Sequence, residues 1–252
     1  DVYKRQACYL AQSGRPGPVV IDIPMDFQKA EINTSKLISF KKPIEKIKKP
    51  LLFKSIKKII RLIKKSKRPV LIAGGGIKVS KSEKKFDKLM SLLNIPVVST
   101  WSGVDLIDHS KNQYIGNVGV YGSRAANFAV QNSDLVLCLG SRLDTRITGG
   151  VPSTFARKAK VIAVDIDKNE LSKKRGLNLF LKVNSDLSIF LDHLNSNLKN
   201  KKFSSPAWLK KCNNWKERYP IVKKEYYNQK KFVNPYVFIE ELSKILNKKD
   251  VV

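Results

Sequence analysis

Two arginines four residues apart, Arg142 and Arg146, lie in the glycine-flanked stretch that follows the apolar run Leu135–Leu139. Planar guanidinium groups pair with carboxylates and phosphates, so these residues suit an anionic ligand. A second apolar run, Val161–Val164, ends in Asp165-Ile166-Asp167. A carboxylate there can accept hydrogen bonds from hydroxyl or amino groups. A third run, Val70–Ala73, stops at Gly74-Gly75-Gly76. Glycine lets backbone amides approach a phosphate with no side chain in the way, and a helix starting there would aim its positive end at the same place. Each feature has an ordinary alternative: a tight turn, a salt-bridged pair, a helix cap. Together they describe the rim of a nucleotide site at the carboxyl edge of a parallel sheet.

Such a rim needs strands and helices in alternation. The pattern predicts a helix over 51–66, a strand over 69–73, a helix over 80–93, a strand over 96–99 and a glycine-rich loop over 116–122. It continues with a helix over 123–132, strands over 135–139 and 161–164, a short helix over 169–174 and a helix over 186–198. This alternation is the mark of an α/β fold with a doubly wound parallel sheet. Before it, residues 7–13 read as the end of a helix, 14–18 as a stiff turn and 19–24 as a short buried strand stopped by Pro24. Residues 35–50 are polar, Lys-rich and broken by prolines, as an inter-domain linker would be. After the sheet unit come a linker region over 199–233, with an aromatic helix over 208–227, and a helix over 236–246 that opens a further unit at 234–252. No internal repeat is present.

The formal net charge of +28 invites a nucleic-acid reading. Only ten of the 49 basic residues are arginine, and the lysines fall as scattered pairs on otherwise ordinary amphipathic helices. Phosphate and base readers rely on arginine interleaved with aromatics, so no nucleic-acid partner is expected. No apolar run is long enough to span a bilayer, so no membrane partner is expected either. Cys8, Cys138 and Cys212 are widely spaced, which suits a reducing, cytoplasmic setting. Cys138 reads as a small buried hydrophobe. His109 and His193 lack ligand spacing, so no metal site is assigned. Trp101 is expected to pack in the core, Trp208 and Trp215 to anchor one helix face, and Tyr121 either to line or to fill a ligand slot. Residues 1–6 back-translate to a sequencing adapter and are set apart from fold reasoning.

In order and spacing, these motifs resemble the thiamine-diphosphate enzymes of the acetolactate synthase type. The segments that carry the resemblance are Gly14-Arg15-Pro16-Gly17-Pro18-Val19 with Asp22-Ile23-Pro24, Arg68 to Gly76, Ile95-Pro96-Val97 with Ser99-Thr100, Gly119 to Gly122, Gly140 to Thr148, Asp165 to Asp167 and Asn234-Pro235-Tyr236. The resemblance implies the tail of a pyrimidine-binding domain at 7–34, a Rossmann-like central domain at 51–198 and the start of a diphosphate-binding domain at 234–252. It implies a fragment of a carboligase or decarboxylase of 2-keto acids, a transferase or lyase of branched-chain amino acid biosynthesis. Such an enzyme uses thiamine diphosphate and Mg²⁺ and works as a homodimer or homotetramer. It also implies FAD in the central domain, held without net redox use, with contacts falling on Arg15, Gly74, Gly75, Thr100, Gly140, Arg142, Arg146, Asp165 and Ile166. No catalytic residue falls within these 252 positions, because the activating glutamate and the Gly-Asp-Gly metal loop have no counterpart here. The chain departs from the family pattern at Met25, at Val120-Tyr121 and at Thr145, where the family carries a lysine, a Met-His pair and an acid. A flavin-free or ADP-binding thiamine enzyme and a non-catalytic nucleotide-binding module stay open as alternatives.

Overall fold

A strand buried on both faces must be apolar at every position, and two such runs sit at the centre of the molecule. The computed structural model describes residues 2–43, 49–199, 203–247 and 249–250. Its strands are β1 (Pro69–Ala73), β2 (Val97–Ser99), β3 (Tyr114–Asn117), β4 (Leu135–Leu139), β5 (Lys160–Asp165) and β6 (Leu181–Asn184). They form one parallel sheet in the order β3-β2-β1-β4-β5-β6. The helices among the described residues are α1 (Val2–Gln12), α2 (Met25–Lys29), α3 (Lys49–Lys65), α4 (Gly76–Val79), α5 (Glu83–Leu93), α6 (Arg124–Gln131), α7 (Thr145–Thr148), α8 (Lys168–Ser172), α9 (Leu187–Leu198), α10 (Pro206–Arg218) and α11 (Pro235–Ile245). The doubly wound α/β fold is thus as the alternation predicts.

Alternate residues of each strand feed two separate cores. Leu71, Leu137, Leu139 and Ile162 pack with Ile56 and Ile59 of α3, Phe86 and Leu89 of α5 and Phe190 and Leu194 of α9. Val70, Ile72, Val136 and Cys138 pack on the other face with Ala125, Ala126 and Val130 of α6 and Trp208 and Cys212 of α10. Cys138 is the small buried hydrophobe expected, and burial pushes its thiol up to about 12. Trp208 and Trp215 pack edge to face 5.6 Å apart, and the Trp208 Nε1–H donates to the Pro69 carbonyl at 3.1 Å.

Several expectations need correction. The segment over 19–24 is no buried strand: Val20 is 91% exposed and no described strand pairs with it. Extended backbone becomes a strand only by hydrogen bonding to a neighbour, and both cores are closed without this segment. Strands β3 and β6 escape the pattern because they are short edge strands, YIGN and LKVN, with incomplete apolar alternation. The helix expected over 80–93 starts three residues late: a separate turn, α4, stops at Val79, Lys81 takes a φ of +51°, and α5 runs from Glu83 to Leu93. The aromatic helix expected to reach 227 stops at Arg218. Helix α1 runs through residues 2–6, the stretch set apart from fold reasoning. The linker expected over 35–50 lies partly at 44–48, outside the described residues.

Candidate nucleotide crevice

The order of strands reverses between β1 and β4, so their chain exits turn in opposite directions and open a gap at the carboxyl edge. A crevice of about 850 Å³ occupies that gap. Eight of the nine predicted contacts line it: Arg15, Gly75, Thr100, Gly140, Arg142, Arg146, Asp165 and Ile166. Gly74 is not part of the lining. Its amide donates to the Leu139 carbonyl at 2.9 Å, and a Cβ there would collide with the Gly140 backbone.

The glycines serve backbone contact across the reversal point. A Cβ on Gly76 would sit 2.7 Å from the Gly140 Cα, and one on Gly75 would sit 2.6 Å from the Ser102 Cβ. Gly140 itself has a φ of +63°, where an L side chain is strained. The Gly76 amide is spent on the Gly140 carbonyl at 3.0 Å. The helix after the glycines, α4, is a single turn. The charge for an anion therefore comes from side chains, not from a long helix aimed at it.

Those side chains ring the crevice. Arg15, Lys78, Lys81, Arg142 and Arg146 face it, with Asp144, Asp165 and Asp186 as the carboxylates of the lining. Arg142 lies 3.8 Å from Asp144, whose carboxylate also accepts from the Arg146 amide at 3.1 Å and caps α7. Lys78 donates to Asp105 at 2.6 Å, which holds that carboxyl below its ordinary range. The Arg146 carbonyl accepts from the Val120 amide at 2.8 Å, tying the β4 exit to the loop after β3.

Asp165 ends β5 and is buried. Burial raises its carboxyl above the ordinary range, against the Asp167 amide that donates to it at 2.9 Å and the nearby Arg15 charge. A buried carboxylate at a crevice wall favours a ligand that brings hydrogen-bond donors. The cap of α8 is Asp167, not Asp165. Thr100 is buried at the end of β2, its amide on the Ala73 carbonyl at 2.9 Å.

Trp101 departs from expectation. It is 49% exposed, lies on the crevice lining and stands 5.4 Å from the Tyr121 ring, with the Arg146 guanidinium 5.7 Å over it. A short 3-10 turn over Trp101–Leu106 swings it out of the core. Tyr121 lines the slot and is 72% exposed. Sequence reasoning missed Lys78, Lys81 and Asp186; only their nearness to a glycine run or a helix start marked them.

Among the described residues no group of three His, Cys, Asp or Glu side chains could hold a metal ion. No helix among them is long and apolar enough to cross a membrane.

Residues 56–194 match the family described as thiamine pyrophosphate enzyme, central domain. Across 96% of its length the chain is 35% identical to the acetolactate synthase large subunit of Cyanidium caldarium, covering 42% of that protein. It is 34% identical to acetolactate synthase 2, chloroplastic, of Nicotiana tabacum, over 86% of this chain and 33% of that one. It is 34% identical to acetolactate synthase, chloroplastic, of Arabidopsis thaliana, over 86% and 32%. The chain thus spans less than half the length of these relatives.

Proposed function

The chain belongs to the thiamine pyrophosphate enzyme family through its central domain, and from that premise we propose that its crevice binds FAD within an acetolactate-synthase-like carboligase or decarboxylase of 2-keto acids. One observation carries the reading: Gly75, Arg142 and Asp165, far apart in sequence, line the same crevice as Arg15. In this reading Arg15, Arg142 and Arg146 offset the diphosphate charge. Asp165 accepts from the adenosine hydroxyls. Thr100, Gly75, Gly140 and Ile166 form walls, and Gly74 supports them by packing on Gly140. Trp101 and Tyr121 offer an aromatic wall to a planar ring. The crevice volume is in the upper part of the roughly 300–1,000 Å³ range of small-molecule sites, which leaves room for a dinucleotide.

The whole protein would take thiamine diphosphate and Mg²⁺, which supply carbanion stabilisation when bound. The residues described here do not fit that role, since they offer no metal-ligand cluster. The proposed division is a pyrimidine-domain tail at 7–34, the central domain at 51–198 and the opening of a diphosphate-binding domain at 234–252. The whole protein would act in branched-chain amino acid biosynthesis, as a homodimer or homotetramer, in a cytoplasmic setting.

A second reading, ADP in place of FAD, is favoured by one observation. Trp101 and Tyr121 stay 49% and 72% exposed and so enclose a flavin ring poorly, whereas Arg142 and Asp165 suit the adenosine diphosphate part alone. Equilibrium dialysis of the purified chain against FAD and ADP separates the two. FAD binding at least about tenfold tighter than ADP supports the flavin reading. Equal affinities assign the ADP reading, and no uptake of either at millimolar concentration removes both.

A further inference from the structure

One carboxylate behind the crevice gathers three cations from two parts of the chain. Asp167 caps α8 by accepting from the Asn169 and Glu170 amides at 2.8 and 3.4 Å, which fixes Glu170 in the first turn. The Glu170 side chain is only 6% exposed. A carboxylate so enclosed must be matched by opposite charge. Lys173 supplies it at 2.5 Å, Arg175 in direct contact and Arg15 at 3.3 Å. Burial alone would raise the carboxyl, but Lys173 and Arg175 outweigh it and hold the group below its ordinary range.

The pairings reach the rim by two routes. Arg15 itself lines the crevice, and it also stands 3.7 Å from Asp167. Arg175 donates through its other terminal nitrogen to the Arg142 carbonyl at 3.0 Å. Arg142 precedes Leu143, whose φ of +49° marks a strained turn that needs outside support. Residues 14–43 are exposed along nearly their whole length, so the Arg15 pairing is a tether for a segment with little burial of its own.

We infer that Glu170 is a positioning residue of the nucleotide site: it holds Arg15 directly, and Arg142 through Arg175, where a ligand diphosphate meets them. Docking of the N-terminal segment and ligand binding are thereby coupled. The inference rests on the nucleotide reading above. Glu170 is not part of the crevice lining, so its effect runs through the two arginines. Cations already ordered at a site bind an anion more tightly than cations that must be ordered by it.

The test is a double-mutant cycle on ADP affinity, measured by calorimetry on the full chain. Glu170→Gln removes the charge at nearly constant shape. Arg15→Ala removes the tethered cation from an exposed segment and leaves both cores intact. Each single variant should weaken ADP about tenfold, and the double variant should fall well short of the roughly hundredfold loss that additivity gives, the share beyond Arg15→Ala being the route through Arg175. ADP should slow tryptic cleavage after Lys29 in the parent chain and not in Glu170→Gln. Thermal unfolding checks each variant. Should Glu170→Gln fail to fold, Arg175→Met cuts the tie to Arg142 alone and should also weaken ADP. Additive losses, unchanged affinity in Glu170→Gln, or tighter binding from an Arg15 set free would each overturn the inference. A parent chain that takes up neither ADP nor FAD has a different signature, and it overturns the nucleotide reading together with this one.

Discussion

Arg142 stands half exposed at the rim, and the 3.8 Å separation from Asp144 leaves most of its charge available. Its removal should therefore be felt by the ligand and hardly by the fold. Arg142→Ala is expected to weaken FAD and ADP by about tenfold or more, the equivalent of about 1.5–3 kcal/mol for a charge-assisted hydrogen bond, and to flatten the salt dependence of binding. Calorimetry at two ionic strengths checks both, and an unchanged affinity would count against the assignment. At this scale the sequence is legible where residue type alone sets the chemistry. Glycine at a close backbone approach, arginine for an anion and aspartate at a strand end could be picked out without coordinates. Trp101 could not, because its exposure depends on a turn that no periodicity announces. Glu170 could not, because its most consequential partner is 155 residues away. The only local sign was the Asp167-x-x-Glu170 spacing of a helix start.

The elements that hold the rim are joined at their amino ends by Asp134. Its carboxylate accepts from the Lys67 and Arg68 amides at 2.8 and 3.0 Å and from the Ser66 hydroxyl, fastening the turn between α3 and β1 to the start of β4. Its own amide and carbonyl bond to Arg68 and Lys160, the start of β5. Burial acts to raise this carboxyl, but the Ser66, Lys67 and Arg68 donors win and lower it below 3.8. A lowered folded value means the contribution is fully present above the unfolded value and is lost as pH falls through the folded one. Asp134→Ala should cost about 1–2 kcal/mol at neutral pH, and the difference from the parent should shrink below pH 3.8. Urea unfolding at several pH values measures it; a gap that stays constant with pH would contradict the assignment. Asp165 has the opposite sign, since its folded value is raised, and it weakens the fold as pH rises through that value. The central strands β1 and β4 were legible because burial on both faces leaves an unbroken apolar run. The edge strands β3 and β6 were not, because one side of each faces no neighbour and the pattern thins there. Residues 19–24 were misread for the converse reason: an apolar run without a pairing strand stays exposed.

At the scale of the whole molecule, the strand order sets where the proposed ligand would sit. The order of the six parallel strands reverses between β1 and β4, and the crevice opens there. The net charge of +28 offers a competing place for an anion, the lysine-rich outer face of helices such as α3. Hydrogen–deuterium exchange with and without saturating FAD distinguishes these locations directly. Slower exchange is expected in the N-terminal segment around Arg15 and in the strand-end loops near residues 75–81, 100–103, 118–121, 140–148 and 165–167. Protection on the exposed face of α3 instead, or no change anywhere at saturating FAD, would contradict it.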